Sequence, residues 1–270
     1  MTNAAAQFIG NIPQHYDQGL GPLIFVDYAA DMARRVAACN PARVLETAAG
    51  TGIVTRQLRN LLPAGSHLTA TDLNPPMLDV ARAKFRPGEE VAFQPADALA
   101  LPFADGSFDA VICQFGVMFY PDKDQSYREV LRILMPGGHY LFSIWDAHRY
   151  NPFGRITHDV VGRFFPVDPP QFMNVPFSYA FEPIKHSLIE AGFASIKAAV
   201  VRLEKKIPEA AAFARGIVYG SPLIDQLQAR GGVAPEQVVD ALVREFHREF
   251  GSDPGCMPLQ AIMFSAEKPA

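Results

Sequence analysis

Between Pro41 and Asp146 short apolar runs alternate with stretches of helical spacing, and this rhythm predicts a layered α/β fold. The predicted strands are Arg43–Glu46, His67–Asp72, Val91–Gln94, Phe108–Gln114 and His139–Trp145. Helical spacing separates them over Gly52–Leu62, Pro76–Phe85 and Asp122–Leu134. In the last of these, Tyr127, Val130, Leu131 and Leu134 fall on one face. Asn74 is placed to cap a helix opening at Pro75 or Pro76, and Met135–Gly138 ("MPGG") stops the third helix. Strands joined through helices give a parallel, doubly wound sheet with right-handed crossovers.

The flanks read differently. Pro22–Cys39 is amphipathic through Leu23, Val26, Ala30, Ala33 and Val36. Ala147–Pro183 is rich in proline and aromatic residues ("NPF", "FFPVDPPQF", "VPFSY"), which suits an irregular covering segment better than a linker. Beyond it, Ile184–Ala191 reads as a helix ended by Gly192, and Phe193–Lys206 alternates as a strand. Pro208–Tyr219 and Pro235–Phe250 read as helices, the latter with Val238, Leu242, Phe246 and Phe250 in one row. Met257–Pro269 reads as a final strand, and no internal repeat is present. A single domain over 1–270 is expected, with 1–38 as lid and first helix, 39–146 as core, and 147–182 and 207–252 as covering insertions.

Composition narrows the function. A chain of 270 residues is long enough to bury roughly 75% of its unfolded surface without a disulfide or metal staple. The net charge of −4, with no basic block, argues against nucleic acid, whose phosphates require a basic footprint. Cys39, Cys113 and Cys256 form neither a CxxC nor a metal spacing, which suits free thiols in a reducing compartment. The N-terminal residues lack the pattern of a signal peptide, and no apolar run reaches the ~18 residues of a membrane helix. A cytoplasmic protein without membrane insertion is expected, and a homodimer is compatible with it.

The chemistry collects at predicted strand ends, where doubly wound sheets bind ligands. Glu46 ends the first strand and Asp72 the second, 20 residues after Gly52, the spacing that brings a carboxylate against a ribose. Asp97 follows the third strand and Gln114 ends the fourth. Each has a plainer reading, Asp72 as a helix cap and Asp97 as turn chemistry, but four polar strand ends together point to a nucleoside site. A dinucleotide fingerprint would need a third small residue after Gly50 and Gly52, and Thr55 stands near that place. No tyrosine has a lysine four residues on, so an NAD(P)-dependent oxidoreductase is the weaker alternative. Glu46 beside the turn would repel a pyrophosphate and attract an ammonium or sulfonium.

The stretch Val44–Gly52, "VLETAAGTG", resembles motif I of the class I S-adenosylmethionine-dependent methyltransferases. "TATDLNPPMLDVARAK", "PADALALPFADGSFDAVICQFGVMFYPD" and "REVLRILMPGGHYLFSIWD" resemble the ribose-binding, adenine-binding and fifth-strand segments of that family. The resemblance covers Tyr16 to Asp146 and is strongest toward small-molecule enzymes of the ubiquinone/menaquinone type. It implies a Rossmann-like, seven-stranded, mostly parallel sheet with an antiparallel last strand and lid insertions. It also implies S-adenosylmethionine as cofactor and a small-molecule methyl acceptor, with a non-catalytic cofactor-binding protein as the other reading.

Carried over, Glu46, Ala48 and Gly50 would line the methionine part, and Asp72 would take the ribose hydroxyls. Leu73 and Met77 would flank the adenine, with Asp97 on its amino group and Ala98 offering a backbone N–H. Gln114 and Phe115 would face the methionine and the transferred methyl, and Tyr16 would belong to a lid over the site. Glu46 replaces the commoner aspartate, and Ala48 replaces a glycine, a mild change if φ is negative there. "NPPM" at Asn74–Met77 resembles a motif of DNA amino-methylating enzymes, but it follows the wrong strand. If a general base is used, His148 is the first candidate and His15 the second, and no metal is expected.

Overall fold

A computed structural model describes residues 6–270; residues 1–5 of the expected N-terminal lid lie outside the described residues. Strands β1 (Arg43–Glu46), β2 (His67–Asp72), β3 (Val91–Pro95), β4 (Phe108–Gln114), β5 (Leu134–Trp145), β6 (Ala194–Ile207) and β7 (Gly255–Glu267) form one sheet. Its order is β3-β2-β1-β4-β5-β7-β6. The first five strands pair in parallel; β7 runs antiparallel to β5 and β6. The expected fold class is therefore what forms. Chain order reverses between β1 and β4, and this opens a crevice at their carboxyl ends.

The strands flanking that crevice are apolar on both faces, as parallel strands between helix layers must be. Val44, Leu45, Val111 and Ile112 are completely buried. Helices α3 (Ile53–Leu61), α4 (Pro75–Arg82) and α5 (Lys123–Ile133) connect the parallel strands. Asp122 caps α5 by accepting from the Gln125 N–H. Helix α7 (Phe181–Ala191) ends on Gly192 at φ +106, a left-handed stop suited to glycine. Under it, the rings of Tyr140, Phe142, Phe264 and Phe181 stack in series.

β5 opens at Leu134 and not at the expected His139, and three further segments depart from expectation. The N-terminal helix begins well before Pro22: α1 (Ile12–His15) leads into a wider π-helical stretch, Tyr16–Phe25, and then α2 (Val26–Ala38). Pro22 is tolerated inside this run because the backbone hydrogen bonds there are loosened to a longer reach, as where Val26 N–H meets the Gly21 carbonyl. The aromatic segment after β5 is not irregular throughout. It forms α6 (Pro152–Phe164) and a 3₁₀ stretch, Phe172–Phe177, because its apolar residues line one helical face. Helix α9 (Leu223–Arg230) is an addition between α8 (Ala210–Tyr219) and α10 (Pro235–Phe250).

The N-terminal run and α8 close over the sheet's carboxyl edge through a contact between glycines. A Cβ on Gly19 would lie 2.6 Å from the Cα of Gly216, and a Cβ on Gly220 would lie 2.8 Å from the Tyr16 nitrogen. The two backbones touch because neither carries a side chain at this point. Gly19→Val should therefore force the covers apart and destabilise the protein by roughly 1–3 kcal/mol, the range of overpacking. By calorimetry that is about 2–4 °C of Tm per kcal/mol for a chain of this size; an unchanged Tm would show that the contact yields freely.

Candidate active site

The turn after β1 carries the first functional group. Glu46, on the last residue of β1, is only 2% exposed, and its carboxylate accepts a 2.6 Å hydrogen bond from the Thr55 hydroxyl. Burial, with the nearby Asp72 charge adding to it, pushes its pKa up to about 8 against the hydrogen bond from Thr55. Asp72, at the end of β2, is 6% exposed; one oxygen accepts the Gly50 N–H (2.9 Å), the other the Asn74 N–H (2.8 Å) and side-chain amide (3.2 Å). Its pKa is also raised by burial, although these donors oppose the shift. Two buried carboxylates thus face one crevice, and no basic group appears among the causes of either shift.

The backbone of the turn is strained where it meets β4. Ala48 has φ +49, so the expected negative φ is not what forms. The left-handed conformation costs an alanine about 1–2 kcal/mol. Space for its methyl group exists because Gly116 stands opposite: a Cβ there would lie 2.4 Å from that of Ala48. Phe115 is also left-handed, at φ +57, and is held by the carbonyl and hydroxyl of Ser143 and by a stack on Trp145 at 4.2 Å. Outliers fixed so firmly by their surroundings cluster at functional sites.

A cavity of about 410 Å³ opens over these strand ends. Ten of the expected residues line it: Tyr16, Ala48, Gly50, Asp72, Leu73, Met77, Asp97, Ala98, Gln114 and Phe115. Glu46 lies in an adjoining niche of about 30 Å³, whose wall includes Tyr16, Ala48, Gly50 and Gln114. Asp97 is exposed at the far rim and accepts the Leu99 N–H, while Leu73 is 57% exposed beside Asp72. Away from the carboxylates the walls are aromatic and aliphatic, including Phe25, Phe119, Trp145, Phe153, Phe172 and Phe177.

Both histidines stand elsewhere. His148 is not among the lining residues; its Nε2–H donates to the Met173 carbonyl (2.9 Å), and its ring packs 4.6 Å from Phe177. Burial lowers its pKa, so it holds the 3₁₀ cover in place as a neutral donor. His15 packs against Tyr219, also outside the lining. Tyr16 and Tyr120 do line the cavity, but burial raises both hydroxyls well above the usual tyrosine range and keeps them protonated.

Asn74 was expected as a helix cap, yet its side chain makes no cap hydrogen bond. It instead accepts the Phe8 N–H (3.3 Å) and donates to the Ala6 carbonyl (3.0 Å), tying the N-terminal segment across the cavity. A second tie joins Asp17 to Thr51 (2.6 Å) in the turn and to Lys84 on the segment following α4. Neither tie has a sequence signal, because both depend on a segment more than 30 residues away.

Fold and strand-end carboxylates define a nucleoside-cofactor domain of the doubly wound type. Residues 45–142 match the methyltransferase domain family. A demethylmenaquinone methyltransferase of Thermus thermophilus is 38% identical over 139 residues, 51% of this chain and 61% of that protein. A ubiquinone/menaquinone biosynthesis C-methyltransferase, UbiE, of Hahella chejuensis is 33% identical, over 55% and 54% of the two chains. This chain thus spans less than two thirds of either relative. In fold it is similar to the YcgJ protein of a Bacillus, with a TM-score of 0.60, 20% identity, and 90% and 99% of the two chains covered.

The residues present fit S-adenosylmethionine. The niche would offer its ammonium the Glu46 carboxyl, Asp72 would have acceptor capacity left for ribose hydroxyls, and Leu73 would supply exposed apolar surface for a base. Below pH 8 Glu46 is protonated in the free protein, whereas an ammonium favours its carboxylate. Binding should therefore release a proton below that pH and strengthen as pH rises toward it. At pH 7, calorimetry with S-adenosylhomocysteine in phosphate and in Tris should show that release in the wild type and not in Glu46→Gln. Equal heats in both buffers for the wild type would mean that Glu46 is already ionised.

Proposed function

We propose that this protein is an S-adenosylmethionine-dependent methyltransferase acting on a small, flat, largely apolar acceptor. The observation that carries the reading is a pair of buried carboxylates without cations at the mouth of an aromatic chamber. When bound, the cofactor supplies an electrophilic methyl group on a sulfur that departs as a neutral thioether. Glu46 and the backbone at Ala48 and Gly50 would hold its methionine end, Asp72 the ribose, and Leu73, Met77, Asp97 and Ala98 the base. The names of the two relatives, both tied to quinone biosynthesis, agree with an aromatic acceptor.

The chain's own task is then to orient the acceptor and exclude water. Tyr16, Phe8 and the 3₁₀ cover close the chamber from two sides. Among the described residues, the titratable side chains lining it are Tyr16, Asp72, Asp97 and Tyr120. The tyrosines remain protonated and the aspartates are assigned to the cofactor, so the acceptor has to bring its own electron-rich atom. We place this activity in the cytoplasm, on a small molecule and not on nucleic acid.

S-adenosylhomocysteine at 100 times its Kd should stabilise the protein by ~2.7 kcal/mol, a rise of several degrees in Tm. Asp72→Ala should weaken that binding by ~1.5–3 kcal/mol, the scale of hydrogen bonds to a charge. A Tm that responds to NAD and not to S-adenosylhomocysteine would refute the proposal.

A further inference from the structure

Among the described residues, the chamber wall holds one buried side-chain polar atom whose hydrogen bond is missing. Gln114 Oε1 is shielded from solvent and has no partner. Its orientation is set by the other end of the amide, where Nε2–H donates to the Phe25 carbonyl at 3.4 Å. That carbonyl can only accept, so the amide nitrogen must face it and the oxygen must face the other way. Gln114 borders both the aromatic chamber and the Glu46 niche, which places it where the methionine end of the cofactor meets the acceptor space. The other buried polar atoms without partners, on Tyr127, Tyr140 and His158, belong to residues outside the cavity lining.

Two other polar side chains of this wall differ from Gln114: one is already engaged and one carries a donor. The Ser221 hydroxyl donates to the Ile217 carbonyl and accepts the Leu223 N–H. Tyr16 remains a protonated hydroxyl. The cofactor's ammonium has the Glu46 carboxylate, a stronger acceptor than an amide. A buried, unfilled acceptor in an apolar wall costs free energy until a donor arrives. Resting on the reading above, we propose that Gln114 is the acceptor-positioning residue: its Oε1 accepts a hydrogen bond from an O–H or N–H borne by the methyl acceptor. The substrates it selects are apolar rings carrying such a donor, in preference to the same rings with the donor capped. Because an amide cannot take up the proton, Gln114 orients the acceptor without acting as its base.

The test uses 1-naphthol and 1-methoxynaphthalene, which differ only in the donor. Calorimetry on wild type and Gln114→Met, each with and without S-adenosylhomocysteine, gives both the naphthalene and the cofactor affinities. The wild type's preference for 1-naphthol should exceed the variant's by about fivefold to tenfold, the value of one hydrogen bond. The Kd for S-adenosylhomocysteine should change by less than twofold, which also shows that the variant is folded. An equal preference in both proteins, no binding of either naphthalene, or a tenfold loss of cofactor affinity in Gln114→Met would each overturn the proposal. The last result would assign Oε1 to the cofactor. A naphthol preference that depends on Gln114 in a wild type that does not bind S-adenosylhomocysteine would support this inference and refute the cofactor reading.

Discussion

The carboxylate of Asp72 is the junction on which the site's geometry depends. Removed from water at the end of β2, it takes three hydrogen bonds from two different segments. One oxygen holds the glycine turn after β1 through Gly50; the other holds the start of α4 through Asn74. Asn74 then reaches to Ala6 and Phe8 and draws the N-terminal segment across the cavity. A single buried acid thus links motif turn, second strand and lid. Its desolvation is offset in part by those donors and would be offset further by the ribose hydroxyls of a ligand.

Electrostatic incompleteness and backbone strain meet at the same turn. Burial raises the cost of ionising both Glu46 and Asp72, and the Asp72 charge adds to it at Glu46. Ala48 and Phe115, on facing strand ends, both occupy the left-handed region. Gly116 makes this possible by yielding the volume that Ala48 needs. A free protein that keeps such costs is organised for a ligand that removes them, and a cation bound to an amino-acid moiety does so where a phosphate could not.

The covers show a division of labour between polar ties and close packing. Asn74 and Asp17 pin the N-terminal segment to the strand-end turns after β2 and β1. Gly19 and Gly216 lock the same segment to α8. Aromatic rings fill the space between, where they supply a dry wall and leave the Gln114 oxygen as its unanswered polar group. His148, chemically the obvious base, is bound to the Met173 carbonyl, packs against Phe177, and supports that wall instead.

The sheet was legible in the sequence because its strands announce themselves locally. β1, β2 and β4 fall at their predicted limits, since an apolar run ending in a polar residue marks both strand and strand end. For the same reason the placing of Glu46, Asp72, Asp97 and Gln114 around one crevice could be expected from order along the chain. The π-helical passage through Pro22 and the roles of Asn74 and His148 were not legible. Each depends on a partner distant in sequence: Gly216 for Gly19, Ala6 and Phe8 for Asn74, Met173 for His148. The positive φ at Ala48 belongs with them, because the room for its methyl group comes from the absence of a side chain at Gly116. The sequence by itself determined the sheet and the charges at its edge, as both follow from local pattern. Tertiary packing alone decided which polar atoms are already paired and which await a ligand.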